Sequence, residues 1–287
     1  MNTAIRNELV RCPKCNQGFL VFPAARAEVV CCGTCSAAYP VDQGVIDLMP
    51  GVAVRRSLVQ RVMESESVVR IYESHWWRRS VLAAESMGIS FEQEQALVFR
   101  VASVKRADTV LDLACGSGIY TRPLAQRAQA GTVAGLDLSL PMLRYASQRA
   151  HEERLSNIVL IRGKALRLPF PSERFDLVNC GGALHLFPNA ARALREVHRV
   201  LKPGGLFIVS AARRYSGPLS ALTDGSVAFL GVHLFSASEL KARCERVGLG
   251  EIQFHHAKRF WLVMSARKIA DVRKRRPREP ASQHFPQ

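Results

Sequence analysis

From residue 108 onward the chain alternates between two hydrophobic patterns. The runs "TVLDLAC", "GTVAGLDLS", "NIVLIRG", "RFDLVNCGGA" and "LFIVSA" read as strands. Residues 119–129, "PMLRYASQRAHEER" and "ARALREVHRVL" place apolar residues at helical spacing, with Pro141 in a first turn. "SASELKARCERVG" adds a helix with a Ser cap and a Gly stop. "KPGG" reads as a turn, and "EIQFHH" with "RFWLVMSARK" as a closing hairpin. Strand–helix alternation of this kind predicts a doubly wound α/β sheet with an antiparallel last strand.

Ahead of that pattern, residues 54–105 have apolar residues at helical spacing and few breakers, with Gly88 ending one helix. Residues 9–50 differ again. Short apolar pieces alternate with turn signals, and Pro50-Gly51 closes the segment. A unit this small buries too little apolar surface to fold alone, and below about 40 residues a metal is usually needed. The expected organisation is a ribbon over 1–50, a helical lid segment over 51–105 and a ligand-binding domain over 106–266. An insertion over 213–235 and a basic, disordered tail over 267–287 complete it.

The cysteines sharpen this picture. Five of the eight crowd the N-terminus. Cys12-x₂-Cys15 and Cys32-x₂-Cys35 form a paired set with sixteen residues between the pairs, and Cys31 is the spare. Four thiolates satisfy tetrahedral zinc, so one structural Zn²⁺ on Cys12, Cys15, Cys32 and Cys35 is expected. A site closed by four cysteines leaves no open position for catalysis.

Charge changes the picture less. The 287 residues carry a formal +16. Residues 1–50 are neutral, with four basic and four acidic residues, while 267–287 hold seven basic and two acidic. A basic surface suits an anionic partner, nucleic acid or acidic lipid, or is simply a solvated arginine-rich face. No apolar run approaches the roughly 20 residues that span a bilayer. With no apolar leader at the start, a cytoplasmic protein is expected, for which peripheral membrane contact stays open.

The chemistry centres on "LDLACGSG", residues 111–118. In an open α/β sheet, ligands bind at the carboxyl ends of strands beside the switch point. A dinucleotide fingerprint needs a third glycine, and here Ile119, Tyr120 and Thr121 follow Gly118. A P-loop needs Gly-Lys-Ser/Thr, also missing. Asp137 ends the second strand nineteen residues past Gly118, where an acid can accept both ribose hydroxyls. Asp112, before the loop, suits a positive group. Together they favour a nucleoside carrying an amino acid.

"VLDLACGSG", "GLDLS", "LRLPFPSERFDLV" and "HRVLKPGG", in this order and spacing, resemble class I S-adenosylmethionine-dependent methyltransferases of the ubiquinone/menaquinone-biosynthesis type. The resemblance covers roughly residues 100–266 and implies a Rossmann-like fold and S-adenosyl-L-methionine as cofactor. It implies that Ala114, Cys115, Gly116 and Gly118 approach the methionine part, with Asp112 near the ammonium. Asp137 would bind the ribose, Leu138 would lie beside the adenine, and Lys164-Ala165 would follow the third strand. Cys180 and Gly181 would line the methyl-transfer mouth. Lys164 departs from the family, which usually has an acid there, and lysine cannot accept the adenine amino hydrogen bond.

With the ribbon included, the chain resembles two groups. One comprises ribosomal-RNA guanine methyltransferases. The other comprises plastid and cyanobacterial zinc-ribbon methyltransferases, matched by "CCGTCSAAYPVDQGVIDL", "RYSGP" and "FWLVMSARK". A lid of Tyr72, His75, Trp76, Tyr215 and His233 with His185 is expected, its apolar content suiting a lipophilic guest. His185, just past the fourth strand, is the candidate general base, or else a histidine bonded to backbone. The expected acceptor is a small lipophilic or aromatic molecule. The alternatives are an RNA guanine, supported by charge, and a cofactor-binding scaffold without catalysis, supported only by Lys164.

Overall fold

The computed structural model describes residues 8–21, 28–52, 81–214 and 232–270. Four short strands open it: β1 (Leu20–Val21), β2 (Val29–Cys32), β3 (Ala38–Asp42) and β4 (Val45–Asp47). Helices α1 (Val81–Met87) and α2 (Phe91–Ala102) follow. The alternating region then runs β5 (Thr109–Leu113), α3 (Thr121–Arg127), β6 (Thr132–Asp137), α4 (Leu140–Glu152), β7 (Ile158–Arg162) and β8 (Phe175–Gly181). A 3₁₀ turn at Leu184–Leu186 leads into α5 (Ala190–Val200) and β9 (Leu201–Ala212). Helix α6 (Ala237–Arg246) and the hairpin β10 (Leu249–Lys258) and β11 (Trp261–Lys268) close the fold.

The strands order as β1-β2-β3-β4-β7-β6-β5-β8-β9-β11-β10. From β4 to β9 all neighbours are parallel, and β11 is antiparallel to both β9 and β10. The fold is therefore the doubly wound α/β architecture with antiparallel last strands. Strand β5 is the switch point: β6 and β7 lie on one side, β8 and β9 on the other.

The N-terminal strands are not a detached appendage. All three residues of β4 are buried, as a strand covered on both faces should be. It pairs parallel to β7, so the ribbon extends the main sheet. One apolar core runs through both parts, joining Leu9, Leu20 and Ile46 to Leu168, Phe170 and Phe175. On the other face, α2 lays Phe91, Val98 and Ala102 on the sheet. Its Ser90 and Gln93 form a reciprocal capping box, satisfying two amides at the helix start.

One turn expectation is corrected. Lys202-Pro203-Gly204-Gly205 is not a separate turn but an irregularity inside β9. Gly204 has φ +76°, a Cβ on Gly205 would stand 3.1 Å from the Phe175 carbonyl oxygen, and the pairing with β8 shifts register between Phe175 and Leu177. The glycines let the strand bulge and continue rather than reverse. Residues 53–80 and 215–231, and the tail from 271, lie outside the described residues. Among the described residues, no helix is long and apolar enough to cross a membrane.

Candidate active site and cysteine cluster

The glycine loop grows out of β5. Ala114, Gly116 and Gly118 all adopt left-handed backbone, with φ of +58°, +52° and +78°. The two glycines tolerate this, while Ala114 costs about 1–3 kcal/mol there. The Ala114 and Cys115 amides hold the turn by donating to the Leu136 carbonyl, at 2.7 and 3.2 Å. A Cβ on Gly118 would stand 3.0 Å from the Ala146 methyl, whereas a Cβ on Gly116 would meet nothing within 4 Å. Among the described residues, Gly116 thus faces open space at the carboxyl edge of the sheet.

Two acids flank that space. Asp112 is buried opposite Asn179 on β8. Thr121 Oγ1 donates to its Oδ2 at 2.5 Å and Asn179 Nδ2 to its Oδ1 at 2.8 Å. Burial pushes the carboxyl up to about 6, against the pull of those two donors, and the Asp137 charge adds to the rise. Asp137, half-buried at the end of β6, accepts from the Gly116 amide at 2.9 Å and the Ser139 amide at 2.8 Å. Burial raises it, and these amides oppose the rise. Ser117 Oγ and Asn179 Oδ1 are buried without a hydrogen-bond partner among the described residues. Orphaned polar atoms cost about 1–3 kcal/mol each, so the loop is built for a polar guest. An acid at the end of β6, bonded to the amide of an open glycine, is compatible with S-adenosylmethionine.

The other expected cofactor residues lie on neighbouring strand ends. Leu138 is half-buried, Ala165 is half-buried and Lys164 is exposed. The Gly163 amide donates to the Asp137 carbonyl at 2.9 Å, tying this loop to the end of β6. Cys115 and Cys180 are buried, and burial pushes both thiols up, so they are neutral thiols rather than nucleophiles. Gly181 lies under the Tyr120 ring, where a Cβ would come within 2.6 Å.

That ring leads to a group not singled out from the sequence. Buried Glu94 on α2 accepts from Tyr120 Oη at 2.9 Å and Ser210 Oγ at 2.6 Å. The signal was present: Glu94 is an acid on the apolar stripe of Phe91, Val98 and Ala102.

His185 is placed in the 3₁₀ turn and is 9% exposed. Its Nδ1 accepts the Ala212 amide at 3.2 Å, and its ring stands edge-on to Trp261 at 5.8 Å. A ring accepting at Nδ1 carries its proton on Nε2, the state of a donor rather than a base. The geometry thus fits the backbone-bonded reading of this histidine. His233 is exposed, and its amide donates to the His185 carbonyl at 2.7 Å. Beside them is a cavity of about 300 Å³ with Pro188, Asn189, Arg214, His233, Phe235 and Arg243 among its lining. Tyr72, His75, Trp76 and Tyr215 lie outside the described residues.

The four expected metal ligands come together. Cys12 and Cys35 sulfurs are 3.7 Å apart, as are those of Cys15 and Cys32, and all four lie within 4.8 Å of one another. Zinc–sulfur bonds of about 2.3 Å in a tetrahedron set sulfur–sulfur edges near ~3.8 Å. The Gly18 amide donates to Cys15 Sγ, and the Thr34 and Cys35 amides donate to Cys32 Sγ, each at 3.4 Å. Amides at Gly18 and Gln17 hold the Cys15 thiol down to about 6, toward the thiolate a metal needs. Cys31 is exposed and outside the cluster.

Comparison with known proteins agrees with this geometry. Residues 111–209 match the methyltransferase domain family. The chain is 29% identical over 266 residues to the chloroplastic methyltransferase At1g78140 of Arabidopsis thaliana, covering 84% of this chain and 74% of that one. It is 45% identical over 112 residues to the demethylmenaquinone methyltransferase of Lactiplantibacillus plantarum, covering 38% of this chain and 47% of that enzyme. The chain thus spans about half the length of that bacterial relative. Among solved structures, phosphoethanolamine N-methyltransferase 2 of Haemonchus contortus, in complex with S-adenosyl-L-methionine, superposes with a TM-score of 0.63. It is 18% identical, covering 77% of this chain and 61% of its own, and shows the shared fold. Fold, loop and matches together define a Rossmann-like, S-adenosylmethionine-dependent methyltransferase. Over most of its length it is similar to the chloroplastic plant methyltransferases.

Asp112 yields a pH prediction. Its folded value of about 6 lies above the unfolded value near ~3.9. Its stabilising contribution is therefore full below ~3.9 and lost as pH rises through about 6. At pH 7 the ligand-free protein carries a penalty on the order of 2–3 kcal/mol. Asp112→Asn should raise the urea midpoint at pH 7, with the gain shrinking toward pH 4, while weakening binding of S-adenosylhomocysteine. Equal destabilisation at both pH values would contradict this reading of the buried acid.

Proposed function

We propose that the protein transfers the methyl group of S-adenosylmethionine to a small lipophilic or aromatic acceptor of quinone-like type. The supporting observation is the 45% identity over 112 residues to a demethylmenaquinone methyltransferase. S-adenosylmethionine supplies an activated methyl group on a sulfonium. The chain supplies position, which is where most of the acceleration of an in-line displacement can arise.

In this reading Asp112 takes the ammonium and Asp137 the ribose hydroxyls. Gly116 admits the cofactor because, among the described residues, no atom lies within 4 Å of where its Cβ would stand. Leu138 and Ala165 flank the adenine, with the exposed Lys164 alongside. Cys180 and Gly181 line the mouth as apolar wall, and the Tyr120 ring packed on Gly181 keeps water from that side.

The cysteine cluster holds one structural Zn²⁺ in this reading. The sulfur spacing and the amide donors support it, and four thiolates leave no position for substrate. Protein purified without chelator should contain one zinc per chain, and Cys35→Ser should lower both zinc content and melting temperature. Well under one zinc per chain in the unaltered protein would contradict it.

The acceptor class is tested with methyl-labelled S-adenosylmethionine and whole-cell extract. Label should enter the organic-extractable fraction. Label in nuclease-sensitive material would replace the lipophilic acceptor with RNA, and no transfer to any fraction would leave the scaffold reading.

A further inference from the structure

The seam between ribbon and methyltransferase sheet carries a polar line that ends at the cofactor site. Strand β4 pairs with β7 in a register that sets Asp47 opposite Arg162, and β7 pairs with β6 so that Arg162 is also opposite Asp137. Residues paired across neighbouring strands share a face. Three charged residues therefore stand in a row across the sheet at the edge where ligand binds.

The middle one is tightly held. The Arg162 side chain is 9% exposed, and so is that of Asp47. Arg162 Nη1 donates to Asp47 Oδ2 at 3.0 Å and to the Met49 carbonyl at 3.2 Å. Asp47 Oδ1 is itself fixed by the Met49 amide at 2.8 Å. The Leu48 amide donates to the Arg162 carbonyl at 3.2 Å. The guanidinium is a rigid plane, so fixing Nη1 on the ribbon aims the remaining donors. Nε points at the Leu138 carbonyl, 3.3 Å away. The next residue, Gly163, holds the Asp137 carbonyl with its amide. Both carbonyls of the Asp137-Leu138 turn are thus gripped from the end of β7, and the grip on Leu138 is aimed by a carboxylate of the ribbon.

Stability alone is a weak reason for such a pair. Buried ion pairs often do no better than well-packed apolar residues. A pair that bridges 115 positions of sequence and ends on a ligand-binding turn has a positional use. We propose that Arg162 and Asp47 are positioning residues for the adenosine half of the cofactor, which makes the N-terminal ribbon an outer wall of the cofactor site. This rests on the S-adenosylmethionine reading above.

The test compares four full-length proteins: unaltered, Arg162→Lys, Asp47→Asn and Asp42→Asn. Lysine keeps a cation for Asp47 but cannot serve Asp47 and Leu138 at once. It also preserves the buried pairing should Asp47→Asn fail to fold. Asp42→Asn breaks a different ribbon contact, the exposed bridge to Arg144, which does not reach Leu138. Calorimetry with S-adenosylhomocysteine should show Kd raised about tenfold in Arg162→Lys and Asp47→Asn, as expected for a hydrogen bond to a charged group. KM for S-adenosylmethionine should rise in parallel with kcat nearly unchanged, a split that mere loss of stability does not produce. Asp42→Asn should bind as the unaltered protein does. Unchanged Kd in Arg162→Lys, or an equal rise in Asp42→Asn, overturns the inference. Absence of binding by the unaltered protein would instead strike the cofactor reading on which it stands.

Discussion

The parallel register of β5 with β6 and β8 determines where every feature of the site falls. Asp112 faces Gly135 on one side and Asn179 on the other, and Leu113 faces Leu136. That alignment lets the loop after β5 hang its first amides on the Leu136 carbonyl and its Gly116 amide on Asp137. A slip of one residue would turn every side chain of β5 to the other face. Gly135 shows how closely the register is packed: a Cβ there would stand 2.8 Å from a Leu160 methyl and 3.0 Å from Cys115 Sγ.

The edges of the sheet are the second constraint. An unpaired strand edge invites pairing with other chains. Without β4, the parallel sheet would end on β7. The three buried residues of β4 cover that edge, and the apolar core passes through the seam. The ribbon is therefore fastened by strand pairing, by packing and by the Asp47–Arg162 pair. The opposite edge, β10, breaks register at Gly250/Gln253 and Phe254/His256. Such bulges bend an edge away from further pairing.

Local patterns carried the fold well because they repeat within one element. Strand–helix alternation, each CxxC motif, the glycine loop after β5 and the closing hairpin all have signals within a few residues of each other. What depended on distance was hidden. "VID" at 45–47 has the same composition whether it ends a ribbon or joins a parallel sheet, and only β7, far along the chain, decides. Arg162 reads as the polar end of "NIVLIRG", and nothing nearby names Asp47 as its partner. Glu94 was legible as an acid on an apolar stripe, yet its partners Tyr120 and Ser210 come from elsewhere in the chain. His185 was identified by position, but the Ala212 amide that fixes its tautomer belongs to β9.

The account stands or falls on the glycine loop and Asp137 holding S-adenosylmethionine. The most direct measurement is backbone hydrogen exchange of the full-length protein with and without saturating S-adenosylhomocysteine. Protection should appear at residues 114–118, 137–139 and 163–166, with the β10–β11 hairpin unchanged. Exchange in the loop that is indifferent to ligand, or protection confined to other segments, would contradict it.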